Sequence, residues 1–138
     1  MIIGVIDGMG GGIGSQIITN FRKLLPANVE ILALGINPIA TGNMMKAQAN
    51  QGATGENAIR VSVARVDVIV GPLAVTIPNS MLGEVSLTIA EAISASKAKK
   101  FFLPILPNDM NLIGVENKPL LLFIREIVEK MQGELKKG

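Results

Sequence analysis

The chain has no cysteine, histidine, tyrosine or tryptophan. Without cysteine there is no disulfide and no thiolate nucleophile, and without histidine no imidazole can move protons. Both absences together exclude the nitrogen- and sulfur-rich sites that hold zinc. A hard cation held by carboxylates and phosphate oxygens stays open, but no residue set marks a metal site. Four phenylalanines are the only aromatics. Phe21, Phe101, Phe102 and Phe123 all sit within apolar runs and read as core, so stacking platforms for single-stranded nucleic acid are lacking. The net charge is only +2, and the lysine clusters (Lys97, Lys99, Lys100; Lys136, Lys137) have no aromatic interleaving. No nucleic-acid partner is expected. No apolar run approaches the ~20 residues that span a bilayer, so no membrane partner is expected either. Met1–Asp7 has no basic start and enters a strand at once, unlike a secretory leader. The expected location is the cytoplasm.

What is present suits a packed core. Of 138 residues, 49% are hydrophobic and 17% charged, so one domain over 1–138 should bury roughly two-thirds of its unfolded surface. The 15 glycines concentrate between Gly8 and Gly14 and between Gly35 and Gly55, which points to local backbone demands rather than a linker.

Residues 2–6 are a β-branched run ending in glycines, the pattern of a buried parallel strand. From Ile13 the apolar spacing turns helical through Ile17, Phe21 and Leu24, and Pro26 and Asn28 stop it. Val29–Leu34 is a second buried strand. Asn37-Pro38 reads as a helix cap followed by proline at the first helical position, with the helix running to about Asn50. Over 54–65 a short helix capped by Thr54, carrying Ile59, Val63 and Val66 on one face, is preferred to a strand. Strands follow at 66–70 and 99–105, with a long loop over 72–83 and a helix around 87–95 between them. Residues 111–115 are a candidate C-terminal edge strand. Pro119 opens a last helix and Gly133 is read as its end.

Alternation of this kind predicts a three-layer α/β sandwich on a mainly parallel sheet. The core order expected is 2-1-3-4, with residues 2–6 central. Ligands of such sheets bind beyond the carboxyl ends of the strands, where successive crossovers diverge. Here that crevice lies between Asp7–Gly14 and Gly71–Ser80.

The stretch Asp7-Gly8-Met9-Gly10-Gly11-Gly12-Ile13-Gly14 carries the main signal. Glycine allows the sharp exit from strand to helix, and a missing Cβ lets an anion reach amides at the positive end of the helix. The alternative is that these glycines serve a tight turn and close packing alone. No lysine follows Gly14, so a Walker P-loop is excluded. The pattern G-x-G-x-x-G fits only as Gly10, Gly12 and Ser15.

Gly8-x-x-x-Gly12-Ile13-Gly14 is similar to the glycine motif of short-chain dehydrogenases, and Val66–Val70 looks like that family's fourth strand. That likeness implies NAD(P) or another nucleotide as cofactor. The Tyr-x-x-x-Lys pair is missing, however, and the second strand ends without an acidic residue for a ribose. Over nearly its whole length the chain resembles an uncharacterised bacterial family of small Rossmann-like proteins, a domain of unknown function. The resemblance rests on Ile6–Gly14, on residues 52–59, and on Gly71-Pro72 followed by residues 79–84. It implies the Rossmann-like fold and lends no catalytic residue.

The candidate binding residues are Asp7, Gly8, Gly10, Gly11, Gly12, Ile13, Gly14, Asn37, Glu56, Asn57, Gly71, Pro72, Asn79 and Ser80. Asp7 either holds a ribose hydroxyl or a magnesium-bound water, or bonds its own loop amides. Asn37 is a ribose contact or a helix cap, Glu56 and Asn57 ligand contacts or first-turn residues, Asn79 and Ser80 crevice groups or turn formers. Glu84 is a general base or a favourable charge near a helix start. Three functions compete: a protein binding a small phosphate-bearing ligand, perhaps a regulator; a small enzyme using such a ligand, group transfer ahead of redox; and a structural or accessory subunit. A homo-oligomer is compatible with each.

Overall fold

The computed structural model describes residues 1–137, with side chains through Gly133. β1 (Ile2–Asp7) lies at the centre of a five-stranded sheet. Its neighbour β2 (Glu30–Gly35) runs parallel to it over the full length of both, from Ile2 opposite Glu30 to Asp7 opposite Gly35. On the other side β1 pairs with β4 (Val68–Pro72), which pairs in turn with β5 (Lys99–Leu103). β3 (Gln51–Thr54) joins the outer side of β2. The order is β3-β2-β1-β4-β5, all parallel. The expected 2-1-3-4 core is present as β2-β1-β4-β5, and the fold is Rossmann-like.

Helices cover both faces because parallel strands hide both sides from water. On one face Ile3, Val5, Ile31 and Val70 pack with Ile17, Ile18 and Phe21 of α1 (Gly12–Leu24) and with Ile124, Ile127 and Val128 of α5 (Leu120–Lys137). Met44 of α2 (Pro38–Lys46) joins that cluster. On the other, Ile6, Leu34 and Ile69 meet Ile59 of α3 (Glu56–Ser62) and Ile89, Ala90 and Ile93 of α4 (Leu87–Ala95). No helix among the described residues is long and apolar enough to cross a membrane.

Several boundaries differ from expectation. α2 ends at Lys46 rather than Asn50, and the chain then forms β3, whose Gln-Gly-Ala-Thr sequence has no apolar run. An edge strand needs none, since one flank faces water. Thr54 is the last residue of β3, not a helix cap; Gly55, at φ 98°, precedes α3. Residues 111–115 form no strand: a turn at Ile113–Gly114, with Gly114 at φ 91°, breaks the run. Gly133 does not end α5, which continues to Lys137. Glycine stops a helix through a left-handed residue just past its end, and Gly133 has no such angle.

From β1 the chain moves outward to β2 and β3, then crosses back to β4 on the opposite side of β1. The two loops that leave β1 and β4 therefore open on the same edge of the sheet.

Candidate functional site

β1 delivers Asp7 to that edge with only 3% of its surface exposed. Its carboxylate accepts from the amides of Gly8 at 2.8 Å and Gly14 at 2.7 Å, closing the turn onto the start of α1. Burial pushes the Asp7 carboxyl above its ordinary value, and the charge of Glu84 adds to the rise. The amides of Gly14, Gly8 and Ile13 oppose it. Of the alternatives for Asp7, the geometry shows the bond to its own loop.

Gly8 and Gly11 are buried while Met9, Gly10 and Gly12 are exposed, and a buried backbone group must find a protein partner where an exposed group can use water. Every carbonyl from Gly8 to Gly11 has a protein partner. Gly8 O accepts from the Gly11 amide, Met9 O from Asn37 Nδ2, Gly10 O from Asn43 Nδ2, and Gly11 O from Ser15. The Met9 amide donates to Glu84 Oε1 at 2.7 Å. The amides of Gly10 and Gly12 donate to no protein group among the described residues.

The glycines divide the same way. A Cβ on Gly8 would strike Glu84 and Met81, and one on Gly14 would strike Met44 and Asp7. On Gly11, at φ 72°, it would lie 2.7 Å from the Ala40 Cα. These three are fixed by packing or conformation. Gly10 and Gly12 have open space where a Cβ would stand and no left-handed angle. Gly12 is the first residue of α1. Nothing within the fold requires glycine at either position.

Opposite this turn stands the loop Ile77–Leu82 that follows β4 and a short 3-10 turn (Leu73–Thr76). Asn79, Met81 and Leu82 have φ of 68°, 57° and 57°, a conformation that costs non-glycine residues free energy and gathers at binding sites. A third wall comes from Ile105–Met110, after β5. Together the three segments and Pro72 enclose a cavity of about 880 Å³. Ser80 lines it, 5% exposed, and its buried Oγ has no hydrogen-bond partner.

Asp7, Gly8, Gly10, Gly11, Gly12, Ile13, Pro72, Asn79 and Ser80 thus line one cavity. Gly14, Asn37, Glu56, Asn57 and Gly71 stand outside its wall. Gly14 lies behind the turn against Asp7 and Met44. Asn37 caps α2 by accepting from the Ala40 amide at 2.8 Å, and its Nδ2 braces Met9 and Glu84. Glu56 accepts from Ser86 Oγ, and Asn57 from Arg60. A Cβ on Gly71 would press on Ile6 O, so its small size serves the β1–β4 pairing. Glu84 is a clamp, with Oε1 joining the second loop to the glycine turn.

Sequence reasoning missed Met9, Gln16, Met81, Leu82 and the whole wall at 106–110. The signal for the last was present: a loop after a parallel strand emerges on the same edge as its neighbours, and residues 104–110 follow β5.

The unpaired Ser80 hydroxyl leads to an expected outcome. Ser80→Ala removes a buried group that lacks a partner, which costs about 1–3 kcal/mol when unsatisfied. Urea unfolding should find the variant as stable as wild type or more so, by up to about 1 kcal/mol. A loss of stability would show that the hydroxyl has a structural partner.

A parallel sheet sandwiched by helices, with a cavity where the crossovers diverge and a glycine turn on its floor, defines a Rossmann-like protein. The chain belongs to the family described as Domain of unknown function (DUF3842), whose model matches residues 2–136. No curated protein matches the sequence. Among solved structures, the chain is similar to the crystal structure of a dodecameric FMN-dependent Ubix-like decarboxylase from Escherichia coli O157:H7. That pair shares 14% identity over 98% of this chain and 93% of the other, with a TM-score of 0.42.

Proposed function

We propose that the protein binds a small phosphate-bearing ligand, a nucleotide first among them, in the cavity between the glycine turn and the Ile77–Leu82 loop. The observation that carries this reading is the coincidence at Gly10 and Gly12. At the same two residues the amide has no partner, the Cβ position is open, and the helix dipole favours an anion. Ser80, in the same wall, carries a buried Oγ with no hydrogen-bond partner, a polar group unspent on the fold.

Binding is favoured over catalysis. Asp7 and Glu84 hold loop amides with their oxygens, and the chain has no histidine. NAD(P) is one nucleotide within the class, but Asn37 caps α2 and no acidic side chain follows β2 to take a ribose.

The test is a thermal-shift panel of nucleotides and sugar phosphates on purified protein. At least one member should raise the melting temperature, since a ligand at 100 times its Kd adds about 2.7 kcal/mol. Gly12→Asp should abolish that shift by placing a carboxylate where the phosphate sits. The variant itself should melt within a few degrees of wild type, because the added side chain meets open space and an acidic first-turn residue suits the helix. A panel without a single stabilising member, and no ligand retained through purification in native mass spectrometry, would overturn the reading.

A further inference from the structure

The ionisable residues that line the cavity are Asp7 and Asp109. Both are acidic, and Glu84 stands directly behind the turn with its oxygen on the Met9 amide. No lysine or arginine is among the described lining residues. Several basic groups are engaged elsewhere. Arg22 binds the carbonyls of Gln48 and Val29, Arg60 reaches Asn57, Lys100 holds the carbonyls of Ser96 and Ala98, and Lys118 pairs with Glu126.

Positive potential at the turn therefore comes from the helix end and two free amides. A helix N-terminus is worth about half an elementary charge, and Asp7 already draws on it through Gly14. That suits an anion of one charge. A phosphate monoester carries about −1.5 to −2 at neutral pH, and its second charge would face Asp7 with no cation to meet it. Gln16, Asn79 and Asn108 belong to the remaining wall, but much of it is apolar: Ile13, Pro72, Ile77, Pro78, Leu106 and Pro107 offer a surface for a ring rather than for a second charged group. At about 880 Å³ the space falls within the ~300–1,000 Å³ of small-molecule sites.

We infer that the cavity selects a singly charged phosphodiester attached to a ring, and discriminates against terminal phosphate monoesters. This rests on the proposed binding reading and narrows its ligand. The diester phosphate sits on Gly10 and Gly12, the ring lies against the proline-rich wall, and Ser80, whose buried Oγ has no partner, stands in the same wall. A cyclic nucleotide has this chemistry, whereas the pyrophosphate of a dinucleotide brings two charges side by side and does not.

Calorimetry with matched pairs tests it: AMP against cyclic AMP, GMP against cyclic GMP, phenyl phosphate against diphenyl phosphate, with NAD⁺ as a doubly charged control. At least one diester should bind about tenfold or more tightly than its monoester, since an uncompensated charge in a partly buried site is worth that much. Binding by a cyclic nucleotide but not its monoester would support the inference, and binding by NAD⁺ with no diester bound would count against it, because its pyrophosphate carries two charges. Gln16→Lys adds a cation on the exposed cavity side of α1. It should raise monoester affinity about tenfold and diester affinity by less. Monoesters binding as well as or better than diesters, or no gain for monoesters in Gln16→Lys, would overturn the charge selection and leave phosphate binding standing. No binding by any of these compounds or by the wider panel would overturn both.

Discussion

Gly11→Val should lower the melting temperature by about 10–20 °C while Gly10→Ala, one residue away, changes it by less than about 3 °C. Gly11 holds φ 72°, where a β-branched residue costs roughly 1–2 kcal/mol or more. A Cβ there would also lie 2.7 Å from Ala40 Cα and 2.8 Å from Ala40 O. These are backbone atoms in α2, so the overlap can be relieved only by moving that helix away from α1. Overpacking of this kind costs about 1–3 kcal/mol, and the two terms together amount to about 2–5 kcal/mol. Gly10 has neither problem, since its Cβ would meet nothing within 4 Å and its φ is not left-handed. Differential scanning calorimetry of the two variants beside wild type decides the matter. Equal losses at both sites would mean that the turn's glycines are not divided between packing and an open face.

Asp7→Ala should cost about 2–4 kcal/mol by urea unfolding at neutral pH. Removing the carboxylate leaves the amides of Gly8 and Gly14 without their acceptor in a buried turn, and each orphaned group costs about 1–3 kcal/mol. The loss also has a pH signature. Burial raises the folded-state value of Asp7 above its ordinary 3.8, so between those values the folded protein binds more protons than the unfolded chain. Stability then falls as pH rises through that window. Asp7's contribution is therefore complete below 3.8 and declines as pH climbs through the raised value. The gap between wild type and Asp7→Ala should be widest in acid and narrow toward neutrality. A gap that widens with pH would show the carboxylate to be stabilised, not penalised, by its surroundings.

Much of the scaffold was readable because its signals are local. The buried strands β1, β2 and β4 appear as short apolar runs, since a strand covered on both faces needs an apolar side chain at nearly every position. Asn37-Pro38 announced the start of α2 through a cap that bonds only three residues ahead. β3 was unreadable for the opposite reason. It is held by pairing Leu32–Gly35 with Gln51–Thr54 at the sheet edge, an arrangement that makes no demand on hydrophobicity. Residues 111–115 misled because Leu112, Ile113 and Val115 resemble a strand, yet Ile113 is 90% exposed and has no strand beside it.

By itself the sequence determined the strand, turn and helix of residues 2–24, and with them the sheet edge on which the glycine turn stands. The apolar period and the glycine cluster act within a few residues of one another, so no distant partner is needed to read them. Only the tertiary structure decided which glycines face packing and which face the cavity. The atoms that decide it belong to Ala40, Met44, Met81 and Glu84, brought to the turn from 29 to 76 residues away in sequence. The same holds for the charge-poor wall. Its apolar residues come from the loops after β1, β4 and β5, and only the folded sheet places those three ends side by side.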